Sequence, residues 1–512
     1  MKPNERLAVI DLGSNSFRMV VFLAGAGWWR RTDEIYEPVR IGQGLARSGS
    51  LGQGPMRRAL STLEVFAHFA AASGLGPDAL DAVATSAIRE AANAQAFLAR
   101  ARERSGLPIR VLTREQEARY GYLAAVNSTT LRDGYVLDLG GGSLQLVEVA
   151  GRIARHSASW PVGTVRMSER FLPGRGRAKR KQLQELREHL GAELRGAPWL
   201  RATGGSSSAR RLVGIGGTVR NLAAAAQRAA GLPTNGVQGT VIEREALDEL
   251  VERLAALPPA ERASVAGIKP ARADLILAGA VVIQGVLLAG GFDGLEATEA
   301  GLREGVFFER LLEGRDPPLF EDVRRASVMN LAASYHADPA HTLHVAALAL
   351  GMFDELARLG LHPGDPRERE LLWAASMLHD IGMSVDYDDH HKHSRYLILS
   401  AGLPGFSPIE VAIIAQAARY HRKGLPEPGP MGALFGEGDA ARLDRCAVLL
   451  RLAEDLERSR DQLVRRTSLS LNDGEVELRL IADGESIVPR WAASREAELF
   501  NRAFARGLSV AA

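Results

Sequence analysis

Asp11-Leu-Gly-Ser-Asn-Ser16 and Asp138-Leu-Gly-Gly-Gly-Ser143 are one device written twice. Each is preceded by a short apolar run (7–12 and 134–139) and followed by another (19–23 and 144–149), the pattern of a β-hairpin with glycine and serine at its tip. Such a tip can turn several backbone N–H groups into one concavity, which binds anions without a side-chain cation. Glycine suits positive φ and lets a ligand oxygen approach the backbone closely. The aspartate that ends each first strand repels phosphate but can hold Mg²⁺, usually through water, and the ion bridges phosphate oxygens. Two facing hairpins of this kind form a clamp for phosphoryl transfer, where positioning and charge neutralisation supply most of the catalysis. A third glycine turn, Gly214-Ile-Gly-Gly-Thr218, follows an apolar pair, and a fourth, Gly301-Leu-Arg-Glu-Gly305, opens a helix. The candidate phosphate-binding residues are therefore Gly13, Ser14, Asn15, Ser16, Gly140, Gly141, Gly142, Ser143, Gly216, Gly217 and Thr218. Asp11 and Asp138 are the candidate metal holders.

The elements that must position these residues alternate in type. Helical spacing covers 56–74 and 94–104, and strand patterns cover 81–85 and 108–112 before the hairpin device restarts at 134. An internal repeat of this size predicts two similar α/β lobes facing each other. The apolar run 275–292 approaches membrane length, but Gln284 and glycines 279, 285, 290 and 291 interrupt it, so it is expected to be a buried helix. From about 311 the strand signals vanish, amphipathic helices run to about 465, and most of the histidines fall here. Residues 467–482 alternate around Asn472-Asp473-Gly474, a hairpin signature, and a last helix is expected over 493–506. The segment 173–181 (Pro-Gly-Arg-Gly-Arg-Ala-Lys-Arg-Lys) is expected to be a solvated basic loop.

The whole chain has 63 Lys and Arg against 61 Asp and Glu, a net charge of +2, which argues against a dedicated nucleic-acid binder. The single cysteine, Cys446, cannot form an intramolecular disulfide and points to a reducing, cytoplasmic location. The first residues lack the apolar core and small-residue cleavage site of a secretory leader.

At these motifs the chain resembles the acetate/sugar kinase, Hsp70 and actin superfamily. More closely, it resembles the exopolyphosphatase / guanosine pentaphosphate phosphohydrolase (Ppx/GppA) family. The resemblance is carried by Asp11 to Phe17, Thr85-Ser-Ala-Ile-Arg89 with Ala91, Glu117-Ala-Arg119, Asp138 to Ser143, Gly214 to Thr218, Arg272-Ala-Asp274 with Gly279, and Gly301 to Gly305, in this order. It implies two ribonuclease-H-like lobes (1–128 and 129–311), a C-terminal all-α HD-like domain (312–465) and a small α+β tail (466–512). It implies hydrolysis of terminal phosphates from polyphosphate, or of guanosine pentaphosphate at the same site, with Mg²⁺ or Mn²⁺, in a homodimer. It also implies that Glu117 orients the attacking water, as a hydrolase needs a carboxylate in line with the leaving oxygen, and that Arg89 contacts phosphate through its guanidinium fork. One departure is Gln145, which stands where the family pattern has a carboxylate that assists metal or substrate binding; Glu148 is a candidate substitute.

The region 379–423 is similar to the helical half of longer family members. The resemblance implies metal ligands at His341, His379 and Asp380, with His393 and His421 as additional histidines; imidazole with carboxylate suits Mn, Fe or Zn. The last ligand is expected to be an aspartate, but Glu454 stands there, and Asp455 is one step, about 100°, around the helix. The reading favoured by that change is a vestigial site on a domain that shapes a channel lined by Lys392, Arg419, Arg422 and Lys423. The other reading is a nucleotide phosphohydrolase working from it.

Overall fold

The computed structural model describes residues 5–200, 210–233 and 236–511. The leader-free start expected at residues 1–4 lies outside them. The chain divides into two units, Met1–Val323 and Arg324–Ala512.

Alternating and continuous apolar runs build two sheets in the first unit. One contains β1 (Glu5–Leu12), β2 (Phe17–Gly25), β3 (Trp28–Glu37), β4 (Leu80–Ala84) and β5 (Ile109–Val111), in the order β3-β2-β1-β4-β5. The other contains β6 (Gly134–Leu139), β7 (Leu144–Ala150), β8 (Ile153–Trp160), β9 (Leu212–Ile215), β10 (Thr240–Glu243) and β11 (Gly294–Ala297), in the order β10-β11-β9-β6-β7-β8. Each sheet is an antiparallel meander of three strands whose first strand pairs in parallel with the next to arrive: β1 with β4, and β6 with β9. The repeat read from the hairpins therefore extends to the pairing pattern around them. Between the sheets runs a core that includes Val9, Val83, Leu123, Val136 and Ile215. The helix Ile276–Gly290 is almost wholly buried in the second sheet's core, as its composition requires. Among the described residues no helix is long and apolar enough to cross a membrane.

The second unit is mostly helical, with β12 (Val464–Asn472), β13 (Glu475–Ala482) and β14 (Gly507–Ala511) as a small sheet. β12 and β13 turn at Asp473-Gly474, both with positive φ. Val476, Leu478 and Leu480 share one core with Val345, Leu378 and Leu449. The tail expected at 466–512 is thus packed into the helical region, because its alternating strands have one apolar face to bury and only the helices offer a partner.

Candidate active site

The two hairpins close in the same way. Gly13 donates to the Ser16 carbonyl (3.2 Å) and Gly140 to the Ser143 carbonyl (3.0 Å). Those amides are consumed by the turns, whereas the N–H groups of Ser14, Asn15 and Gly141 have no hydrogen-bond partner among the described residues. The tips meet: a side chain at Gly142 would collide with the hydroxyls of Ser14 and Ser86, so only glycine fits there. A cavity of about 110 Å³ lies beside the tips, lined by Asp11, Gly13 to Ser16, Glu117, Asp138, Gly140, Gly141, Gly216 and Gly217. Gly216 has φ 102°, and its open backbone lies against the Asp138 carboxyl.

Glu117 sits in the first turn of the helix Arg114–Val126, which starts at a reciprocal cap between Thr113 and Gln116. Its carboxyl is buried, with Oε2 accepting from Arg89 Nη1 at 2.8 Å. The same Arg89 nitrogen also reaches the Leu112 carbonyl at 2.9 Å. Oε1 lies 3.5 Å from the Ser143 hydroxyl, which accepts from Gln145 Nε2 at 2.8 Å. Burial pushes Glu117 above the ordinary carboxylate range, and Arg89 opposes the shift. Burial raises Asp11 too, against the pull of Arg303 and Arg18. Asp138 is pushed up to about 7, by burial first and then by the charges of Glu117 and Asp11. Three crowded carboxylates, one of them reluctant to ionise, suit a hard divalent cation.

Several expected phosphate-binding residues do not lie on the lining of the cavity. Arg89 does not line the cavity; it lies behind Glu117 and orients it. Gly142, Ser143 and Thr218 are also set back from the lining: Gly142 is wedged between the tips, Ser143 joins Gln145 to Glu117, and Thr218 is buried against Gly279. Gln145 stands opposite Asp138 on the neighbouring strand, with Nε2 bonded to Ser143 and Oε1 buried without a partner among the described residues, whereas Glu148 pairs with His156 and Tyr135 away from the cavity.

The cavity's cations were not singled out from sequence. Arg18, Arg220, Arg272 and Arg303 all line it, and Arg303 pairs with Asp11 at 3.2 Å. Burial lowers Arg18 and Arg272, and burial together with Arg303 lowers Arg220 to about 10. The signal was present: Arg272 and Arg303 lie inside quoted motifs, and Arg18 and Arg220 each stand two residues beyond a glycine-turn serine or threonine.

In the second unit, six side chains converge. His341 Nε2 lies 3.0 Å from Glu454 Oε2 and 3.7 Å from Asp380 Oδ2; His379 Nε2 lies 3.2 Å from Glu454 Oε2 and 3.7 Å from Asp380 Oδ1. His390 Nε2 and His421 Nε2 lie 3.2 and 3.7 Å from Asp380 Oδ1. Glu454, standing where an aspartate was expected, reaches both histidines with its longer side chain. Asp455 points elsewhere and faces Arg458. His393 is not part of the group; His390, at the start of the helix His390–Ala401, takes that place. Burial alone would lower His379, but Asp380 and Glu454 raise it to about 9, while His421 is held at about 3 by burial and His379.

A paired-hairpin α/β fold that closes glycine tips over arginines and carboxylates defines a phosphate-handling protein. The Ppx/GppA phosphatase family matches residues 31–314 and that family's domain III matches 323–487, so the chain belongs to the Ppx/GppA phosphatase family. Among solved structures it is similar to the Aquifex aeolicus member of the family (29% identity over 60% of this chain and 99% of that one, TM-score 0.51). It also shares its fold with an exopolyphosphatase from Cytophaga hutchinsonii (21% identity over 60% and 98%, TM-score 0.55).

Proposed function

We propose that the cleft of the first unit hydrolyses the terminal phosphoanhydride bond of inorganic polyphosphate and releases orthophosphate. The observation that carries this reading is Glu117: a buried carboxylate on an arginine-lined cavity, held from behind by Arg89. Glu117 takes a proton from water as the water oxygen bonds to the terminal phosphorus; the anhydride P–O bond breaks and the shortened chain keeps the leaving oxygen. Raised above the usual range by burial, Glu117 is a better base than an exposed glutamate. Asp11 and Asp138 would hold Mg²⁺, which when bound neutralises phosphate charge. The four arginines outnumber the three carboxylates of the lining, so the cavity favours an anion before any ion is added.

Among the described residues that line the cavity none is aromatic and so none stacks a base, which supports polyphosphate over guanosine pentaphosphate. We read the second unit as HD-like on the convergence of His341, His379 and Asp380. Orthophosphate release from long polyphosphate and from guanosine pentaphosphate, by wild type and Glu117→Gln, tests the assignment. Polyphosphate turnover that disappears in the variant supports it; turnover confined to guanosine pentaphosphate, or intact in Glu117→Gln, refutes it.

A further inference from the structure

We infer that the second unit holds a pair of divalent transition-metal ions bridged by Asp380 and that this centre cleaves phosphate esters, a site separate from the Glu117 cleft. The case begins with tautomers. His379, His390 and His421 each direct Nδ1 at a backbone carbonyl, of Ser376 (2.7 Å), Tyr387 (2.9 Å) and Ala418 (2.7 Å). A carbonyl only accepts, so each Nδ1 donates to it, and Nε2 is the ring atom each histidine turns toward the other side chains. The Nε2 atoms face Asp380 and Glu454 oxygens, and His390 Nε2 faces His421 Nε2 at 3.1 Å. Asp380 Oδ1 and His341 Nε2 are buried and make no hydrogen bond among the described residues. Imidazole nitrogens and carboxylate oxygens gathered this closely in a buried space are a donor set that divalent cations fit.

The spacing suits metal ions. With metal–nitrogen bonds of about 2.1 Å, adjacent donors lie about 3.0 Å apart on an octahedron and about 3.4 Å apart on a tetrahedron. The separations here run from 3.0 to 3.7 Å. The donors fall into two sets that share Asp380: His341, His379 and Asp380, joined by Glu454, and Asp380, His390 and His421. The backbone carbonyls behind three of the rings are the outer support that metal-ligating histidines ordinarily have. Nitrogen-rich donors with few carboxylates suit Mn, Fe, Co or Zn better than Mg or Ca.

The ligand class follows from charge. Two divalent ions against two carboxylates leave a surplus of two positive charges. Arg460, 41% exposed, pairs with Asp380, and exposed Arg422 lies 3.5 Å from His390. A phosphate group is the anion whose oxygens span paired ions. Cleavage there is hydrolysis: a water oxygen bonds to phosphorus, the ester P–O bond breaks, and the leaving oxygen takes the proton.

The test uses the full chain, loaded with Mn²⁺ and desalted, in the Glu117→Gln background. Elemental analysis is expected to find two more ions per chain than in Asp380→Ala and one more than in His390→Ala/His421→Ala, whatever the cleft of the first unit retains. Electron paramagnetic resonance of the loaded protein is expected to show an exchange-coupled pair, a readout that needs no further variant to fold. p-Nitrophenyl phosphate is expected to be hydrolysed with Mn²⁺, and at least tenfold more slowly by Asp380→Ala. Fewer than two ions in the unsubstituted site, an isolated-ion spectrum, or ester hydrolysis unchanged in Asp380→Ala would overturn the inference. Because Glu117 is already disabled, none of these results bears on the polyphosphate reading.

Discussion

The two units gather charge in opposite ways. In the first, glycine turns bring backbone N–H groups and four arginines around three carboxylates, so the cavity is built for an anion and asks for few metal ligands. In the second, rings and carboxylates meet with scarcely a donor between them, so the cluster is built for cations and takes an anion only through them. The difference shows which atom the protein supplies and which it leaves to solvent or ligand. Where backbone can do the binding, the sequence needs glycine; where side-chain lone pairs must do it, the sequence needs histidine.

The largest effect expected is on the first site alone. Glu117→Gln should lower the rate of polyphosphate hydrolysis by about 10²–10⁴-fold, the usual worth of a positioned general base, while leaving the metal content of the second unit unchanged. Steady-state phosphate release and elemental analysis on one preparation check both halves. Next, Arg303→Ala removes one of the cavity's cations and the partner of Asp11. A charge-assisted bond is worth about 1.5–3 kcal/mol, so KM for polyphosphate should rise about 10–100-fold; an unchanged KM would mean Arg303 serves Asp11 only.

A smaller effect separates the sites by pH. Because Asp138 holds its proton up to about 7, protons compete with Mg²⁺ below that value. The Mg²⁺ concentration for half-maximal phosphate release should therefore rise as pH falls from 8 to 6, and this rise should vanish in Asp138→Asn. The smallest expected effect concerns Gln145→Glu. A new negative charge reaching Glu117 through Ser143 should raise the pKa of Glu117 and move the acidic limb of the pH–rate profile upward by roughly half a unit to one unit. A limb that stays in place would show that the Gln145–Ser143 contact does not reach the base.

The hairpins were legible in the sequence because their chemistry is local: an apolar run, an acid, a glycine tip and another run lie within a dozen residues. β3 and β8 were not, since both are outer strands whose side chains are largely exposed; strand pairing rather than burial holds them, and their sequences lack clean alternation. β14 was missed for a related reason, being five residues added in parallel to the tail hairpin. Glu117 was found by resemblance, but its dependence on Arg89 and Gln145 required three-dimensional proximity across 28 residues of separation in each direction from Glu117. His390 and His393 are three apart on one helix, a spacing that places both on one side. Only the approach of Asp380 and His421 to the helix start chooses between them.

The meeting of the two hairpin tips has a consequence for polymer geometry. With Gly142 lodged against Ser14 and Ser86, the two tips touch, and on the proposed reading a strand held in the cavity does not run on between them. A bead string pushed against a stopper can present only its last bead. For the polyphosphate substrate proposed above, a contact too tight to admit a single methyl group favours trimming from the terminus.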